Sequence, residues 1–361
     1  MRIMCIHPKS DYNIGDLMTF SGMKYLATCA FGQDVEFMQF DMRRAMTEFD
    51  TYISEYNWGS DADVIMIGGT PCVSDDSNAD ILRLIKQARK RWPVAKLIAL
   101  GIGSFFRYKK FKIGNYTEGS INTSNDVQGA VEAFRDFDLV IVRDIIAHQV
   151  LLNYGIMNTL YYDMSAFSCF SLSKIGAVSN AKSVLVYCDP QKADVWAHLP
   201  PCVWERYRQF QIDWAEEHNA QVVCISSADQ SSATEHGIQC IHVADLDWMA
   251  YLMSNATSVL TPRVHQAILA SIMGCQDVSI MPIDSRYTTA LNAGVQVVQP
   301  TLRQLRGHPE WDDHAVVISD TFNAQDEYLF PYSYRKLPFS LNELRSNLYT
   351  WPIVEWLKGA V

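Results

Sequence analysis

Short apolar runs alternate with segments of helical periodicity along almost the whole chain. The runs at 2–7 (RIMCIH), 34–40 (DVEFMQF), 63–69 (DVIMIGG), 96–103 (KLIALGIG), 139–144 (LVIVRD) and 159–164 (TLYYDM) predict strands. Helical patterns fall between most of them, notably at 16–30 and 78–92. Near-continuous apolar strands separated by helices indicate a parallel sheet covered on both faces. The stretch SLSKIGAVSN (171–180), rich in Ser, Gly and Asn, reads as a linker. The pattern then restarts, with strands at 183–188, 220–226, 238–243, 257–260 and 277–281 and helices near 202–218, 246–254 and 265–273. The expected fold class is therefore α/β: two Rossmann-like domains, 1–172 and 181–335, facing across a cleft in a GT-B-like arrangement. The tail 336–361 reads as helical with a break at Pro352, and is expected to pack back on the first domain.

Composition narrows the partners. The chain has 361 residues, 48% of them hydrophobic, enough for two full cores. A net charge of −10 argues against a nucleic-acid surface, so any anion site must be locally basic. No apolar run reaches ~18 residues, so no transmembrane helix is expected. The N-terminal MRIMCIHP is too short for a signal peptide. Nine cysteines, an odd number with no C-x-x-C pair, read as reduced thiols rather than disulfides or a zinc site. The expected location is the cytoplasm, with no metal and no cofactor. Trp196, Trp204, Trp214 and Trp248 read as core residues.

Candidate chemistry clusters where predicted strands end, which is where ligands bind in open α/β sheets. In DYNIGDLMTF (11–20), Asn13, Gly15 and Asp16 form a turn, with Asp16 able to cap the following helix and helix N–H groups able to face a ligand. Gly68 and Gly69 end one strand; Gly101, Gly103 and Ser104 end another. Neither pair carries the Gly-Lys-Ser/Thr of a P-loop or the spacing of a dinucleotide fingerprint. Arg143 leaves a buried strand beside Asp144. It reads either as a guanidinium fork for a carboxylate or phosphate, or as half of a structural salt bridge with Asp144 as helix cap. In TPRVHQAILA (261–270), Pro262 keeps Thr261 out of helical geometry, so 261–264 should be extended and a helix should start near His265. Arg263 and His265 would then share a side, offering fixed cationic donors and a proton donor or acceptor.

The series NIGD (13–16), DVIMIGG (63–69), LGIGS (100–104), VRD (142–144) before a helix ending in YG, YYDMSAF (161–167) and SVLTPRVHQAILASIMG (258–274) resembles the polysaccharide pyruvyl transferase family. The resemblance spans roughly residues 3–300, and the Arg-x-His segment is its most specific element. It implies two Rossmann-like domains and transfer of a pyruvyl group from phosphoenolpyruvate to two sugar hydroxyls, giving a ketal. It implies that His265 is the catalytic acid/base, with Asp16 as a second catalytic or acceptor-orienting group. Arg263 and Arg143 would hold the donor's carboxylate and phosphate, with Asn13, Gly68, Gly69, Gly101, Gly103 and Ser104 around it. The acceptor would be a sugar or glycan, lipid- or nucleotide-linked. Two positions depart from the family pattern: Thr70 stands where a third glycine is usual, and Pro262 where a small residue is usual.

Two other readings stay open on the sequence: a GT-B glycosyltransferase using a nucleotide sugar, and a non-catalytic binding protein on the same scaffold. The stretch 105–128 reads as an inserted loop whose Tyr108, Lys109, Lys110 and Phe111 could meet an acceptor or simply be solvated.

Overall fold

In the computed structural model of the chain, the described residues are 1–7, 13–41, 48–51, 53–54, 62–69, 71–74, 79–105, 131–170, 182–189, 201–282, 286–299 and 352–361. They fall into two compact units: one from 1–105, 131–170 and 352–361, the other from 182–299. The linker 171–180, Tyr108 to Phe111, Thr70, Trp196 and the tail up to 351 lie outside the described residues.

The first unit is built on strands β1 (Arg2–His7), β2 (Glu36–Asp41), β3 (Val64–Gly68), β4 (Pro71–Ser74), β5 (Lys96–Phe105), β6 (Leu139–Val142) and β7 (Thr159–Leu160). Their order is β2-β1-β3-β5-β6-β7, all parallel, with β4 beside the far end of β5. The sheet grows outward from β1 to β2 on one side and to β3 on the other. The switch in direction between β1 and β3 opens a crevice at their carboxyl ends. Both strands are buried along nearly their whole length, as their unbroken apolar runs require.

Helix α1 (Ile14–Phe31) is buried on most sides because three elements pack on it. Besides the sheet these are a 3₁₀ segment (Met164–Phe170) and the C-terminal helix (Pro352–Ala360). Its approach to the 3₁₀ segment requires Gly22, where an added Cβ would lie 1.8 Å from the Met164 carbonyl oxygen. Helix α2 (Ala79–Arg91) connects β4 to β5, and α3 (Ile145–Asn153) connects β6 to β7. The run TLYYDM keeps only two residues in β7, because the chain turns into the 3₁₀ segment shortly afterwards.

The tail does return to the first unit. Ile353 and Leu357 are fully buried, and the Trp356 ring meets Tyr161 edge-on at 5.5 Å. Pro352 opens that helix rather than breaking it, consistent with a proline whose missing N–H costs nothing at a first helical position.

The second unit holds β8 (Lys182–Val186), β9 (Gln221–Cys224), β10 (Ile241–His242), β11 (Ala256–Thr261), β12 (Asp277–Ile280) and β13 (Gln296–Val297). Helices α4 (Pro201–Glu217), α5 (Ser227–Glu235), α6 (Leu246–Ser254), α7 (Val264–Met273) and α8 (Tyr287–Asn292) link them. The order β10-β9-β8-β11-β12-β13, parallel throughout, is that of a Rossmann sheet, with its switch point between β8 and β11. Two Rossmann-like units in one chain make the α/β, GT-B-like architecture expected from the sequence.

Two expectations are corrected here. Helix α5, SADQSSATE, has no apolar period and was invisible to periodicity; it is set instead by Ser226, whose side chain accepts from the Asp229 N–H. Trp248 is not core: it is 49% exposed, while Trp204 and Trp214 are half-buried. Cys5, Cys29, Cys72, Cys169, Cys188, Cys224, Cys240 and Cys275 are free, and no described helix is long and apolar enough to cross a membrane.

Candidate functional site

The first unit's switch point is lined by residues singled out above. Asn13, not Asp16, caps α1: its side chain accepts from the Gly15 N–H at 3.1 Å. Its amide also donates to Asp16 Oδ2 at 3.0 Å. Asp16 therefore sits in the first helical turn, nearly buried, where a carboxylate is favoured by the helix dipole. Asn13 is exposed at the mouth.

The glycines face protein atoms. A Cβ on Gly68 would reach 2.4 Å from Met23 Sδ, and one on Gly69 would reach 1.9 Å from Thr19 Cγ2. Gly69 also holds φ +64, which disfavours any L side chain. Gly101 (φ +68) abuts Met164, and Gly103 abuts the Arg143 guanidinium and Asp144. They let backbone and side chains close together at the strand ends. Gly69→Ala is expected to lower stability by at least ~1–3 kcal/mol, read as a shifted denaturant midpoint.

Arg143 follows β6 and is 2% exposed. Its Nη1 donates to Asp163 Oδ2 at 2.6 Å and reaches the Gly69 carbonyl at 3.5 Å. Asp163 Oδ1 accepts from the Ser165 N–H at 2.8 Å. Asp144 caps α3 through the Ala147 N–H at 2.8 Å, and its other oxygen accepts from the Ser104 N–H at 2.7 Å. Of the two readings of Arg143-Asp144, the salt bridge with a helix cap is the arrangement seen. Burial pushes the Asp144 carboxyl above its ordinary pKa, against the pull of those two amides and of Arg143. Nearby Cys72 is pushed up to about 12 by burial, despite the Arg143 charge, so it stays a thiol.

The second unit's switch point brings charge together. Asp189 follows β8, Asp229 lies in the first turn of α5 after β9, and Arg263 follows β11. Arg263 Nη2 donates to Asp229 Oδ2 at 2.7 Å. The same oxygen accepts from Ser226 Oγ at 2.7 Å, and Oδ1 accepts from the Asp189 N–H at 3.2 Å. Asp189 accepts in turn from Arg208 Nη2 at 3.2 Å and from Ser232 Oγ at 2.5 Å. Two aspartates and two arginines thus interlock across three strand ends. Most of the network is buried; the Arg263 side chain is the partly open end, 34% exposed. Burial pushes Cys188, beside it, up to about 12, which excludes a thiolate there at neutral pH.

The TPRVH turn forms as its residues dictate. Thr261 is fully buried and its hydroxyl accepts from the Arg263 N–H at 2.9 Å. Arg263 is extended at φ −99, ψ 116 and occupies the cap position of α7 without a side-chain cap bond. The helix begins at Val264, one residue earlier than expected, so His265 is helical. The expectation that Arg263 and His265 share a side because both are extended is therefore corrected. They are neighbours across the start of a helix, with His265 half-buried in its first turn. Asp229 and Asp189 were missed from sequence. The spacing Ser226-x-x-Asp229, a helix-start signature, was the available signal for the first of them.

Among the described residues no group of three or more His, Cys, Asp or Glu is placed to hold a metal.

Two units, each built on a parallel sheet with polar groups gathered at its switch point, define a Rossmann-like α/β chain. More particularly, this chain belongs to the polysaccharide pyruvyl transferase family, whose model matches residues 13–281, and it is thus a transferase. The matched span includes Asn13, Asp16, Arg143, Arg263 and His265. No curated protein matches the chain. Among solved structures, it is similar to a putative UDP-N-acetylglucosamine 2-epimerase from Listeria monocytogenes. The two share 11% identity over 96% of this chain and 95% of that one, at a TM-score of 0.52. It is also similar to S. aureus MnaA in a co-structure with UDP: 9% identity, 96% and 95% coverage, TM-score 0.51. At such identity the likeness is one of fold.

Proposed function

We propose that this chain moves a pyruvyl group from phosphoenolpyruvate onto two hydroxyls of a sugar in a glycan or glycan precursor, closing a ketal and releasing phosphate. One observation carries the reading. Arg263, partly exposed and fixed by buried Asp229, and half-buried His265, two positions on in the first turn of α7, both lie at the second unit's switch point. A three-carbon donor carrying a carboxylate and a phosphate needs a fixed guanidinium; protonation of its methylene needs an acid.

In this account His265 gives a proton to the methylene carbon of the donor, which leaves positive character at the adjacent carbon. One sugar hydroxyl adds there and loses its proton. The second hydroxyl then displaces phosphate, and its proton is taken up in turn, so donor and diol yield ketal and phosphate. Arg263 binds the donor directly. Arg143, tied to Asp163 and the Gly69 carbonyl, holds the strand ends of the first unit in place, and Asn13 and Asp16 order the start of α1. The acceptor is a sugar or glycan.

Asp229→Asn is expected to weaken phosphoenolpyruvate binding roughly 10- to 150-fold, since a hydrogen bond between charged groups is worth ~1.5–3 kcal/mol. Calorimetry on the folded variant reads it. The reading itself is tested by phosphate release from phosphoenolpyruvate over sugar diphosphates and lipid-linked oligosaccharides. Thermal shift with UDP-, GDP- and CDP-sugars separates it from nucleotide-sugar transfer. Stabilisation by a nucleotide sugar, with none by phosphoenolpyruvate, would replace it.

A further inference from the structure

The second unit carries a cavity of about 660 Å³ that belongs to neither switch point. Its wall includes Lys182, Asn219, Gln221, Gln239, Ile241 and Tyr251. Lys182 and Gln221 are the first residues of β8 and β9, so the cavity opens at the amino ends of the strands. Arg263 and His265 stand at the carboxyl ends. A strand rises ~3.3 Å per residue, so the seven residues from Lys182 to Asp189 put roughly 20 Å between the two poles. Ligands of the parallel sheet itself bind at the carboxyl pole, so this cavity needs a separate explanation.

Its chemistry is specific. Four carboxamide residues, Asn219, Gln221, Gln239 and Asn255, line one space with a single charged residue, Lys182. Tyr251, 38% exposed, adds an aromatic face, and Trp248, 49% exposed, lies one turn before it on α6. Carboxamides both donate and accept, which matches the paired donor and acceptor character of sugar hydroxyls. An aromatic ring offers a flat apolar surface with a polar tip for the C–H face of a pyranose. The volume falls within the ~300–1,000 Å³ range of small-ligand sites. The asparagine's positive φ (45°) is not evidence for a ligand: it ends α4, where the Ala220 N–H returns to the Ala215 carbonyl at 2.8 Å.

We propose that this cavity is a saccharide subsite. It would take a pyranose unit of an oligosaccharide, with Tyr251 as the platform and Lys182 favouring units that carry a carboxylate. A ketal of pyruvate is such a unit, so the subsite would engage a glycan segment already modified. This last point rests on the pyruvyl-transfer reading; saccharide binding itself does not.

The experiment is binding of the full chain to an array of neutral and uronate oligosaccharides. Binding is expected to both classes and to be stronger to uronates. Tyr251→Ala is expected to lower both at least tenfold, and Lys182→Ala to remove only the preference for uronates. Both side chains are exposed, so folding should survive; circular dichroism checks it. His265→Ala, disabled for transfer, is expected to keep full array binding, which separates this subsite from the transfer reading. Absence of array binding, or binding unchanged in folded Tyr251→Ala and Lys182→Ala, overturns the subsite.

Discussion

Replacing His265 with alanine is expected to lower phosphate release from phosphoenolpyruvate in the presence of acceptor by ~10²–10⁴-fold, the usual worth of a general acid–base group. The fold should be indifferent. His265 is half-buried in the first turn of α7, and alanine is a better helix former than histidine. Thermal unfolding of the variant should match wild type, so the lost rate is chemical. The drop should fall on kcat more than on KM, because Arg263, fixed by Asp229, is still in place to hold the donor. Turnover close to wild type would remove His265 from the reaction. A loss confined to KM would make it a binding residue instead.

The largest structural effect is expected from Asp163→Ala. Asp163 is buried and neutralises Arg143, whose side chain is 3% exposed. Removing the carboxylate takes away the counter-charge hydrogen-bonded to a buried guanidinium, a change that typically costs ~3–5 kcal/mol. It also loses the acceptor of the Ser165 N–H, which opens the 3₁₀ segment packed on α1. Urea unfolding of the first unit should move accordingly. Arg143→Met in the same background should recover part of the loss, because the buried guanidinium that lost its Asp163 partner is then gone. If Asp163→Ala unfolds like wild type, Arg143 is not held as described.

Much of this was legible in the residues. The buried strands β1, β3, β5, β8 and β11 were apolar enough to read directly, and Pro262 with Gly274 bracketed the helix that carries His265. Two things were hidden for physical reasons. Helix α5 is specified by a cap and by burial of Asp229, Ser232 and Ala233 rather than by an apolar stripe, so periodicity passed over it. With it went Asp229, the partner that fixes Arg263. Arg143 was ambiguous because its partner, Asp163, is twenty positions further along and pairs only after β6 and the following 3₁₀ segment pack together. The glycines illustrate the same limit: sequence marks that Gly69 permits close approach, while only the fold shows Thr19 as what approaches.

Titration of phosphoenolpyruvate into wild-type chain and into Arg263→Lys tests the central claim most directly. The account predicts measurable binding by wild type and a greatly weakened affinity in the variant, because lysine keeps the charge but loses the planar fork that Asp229 orients. Equal affinities for the two proteins would contradict it.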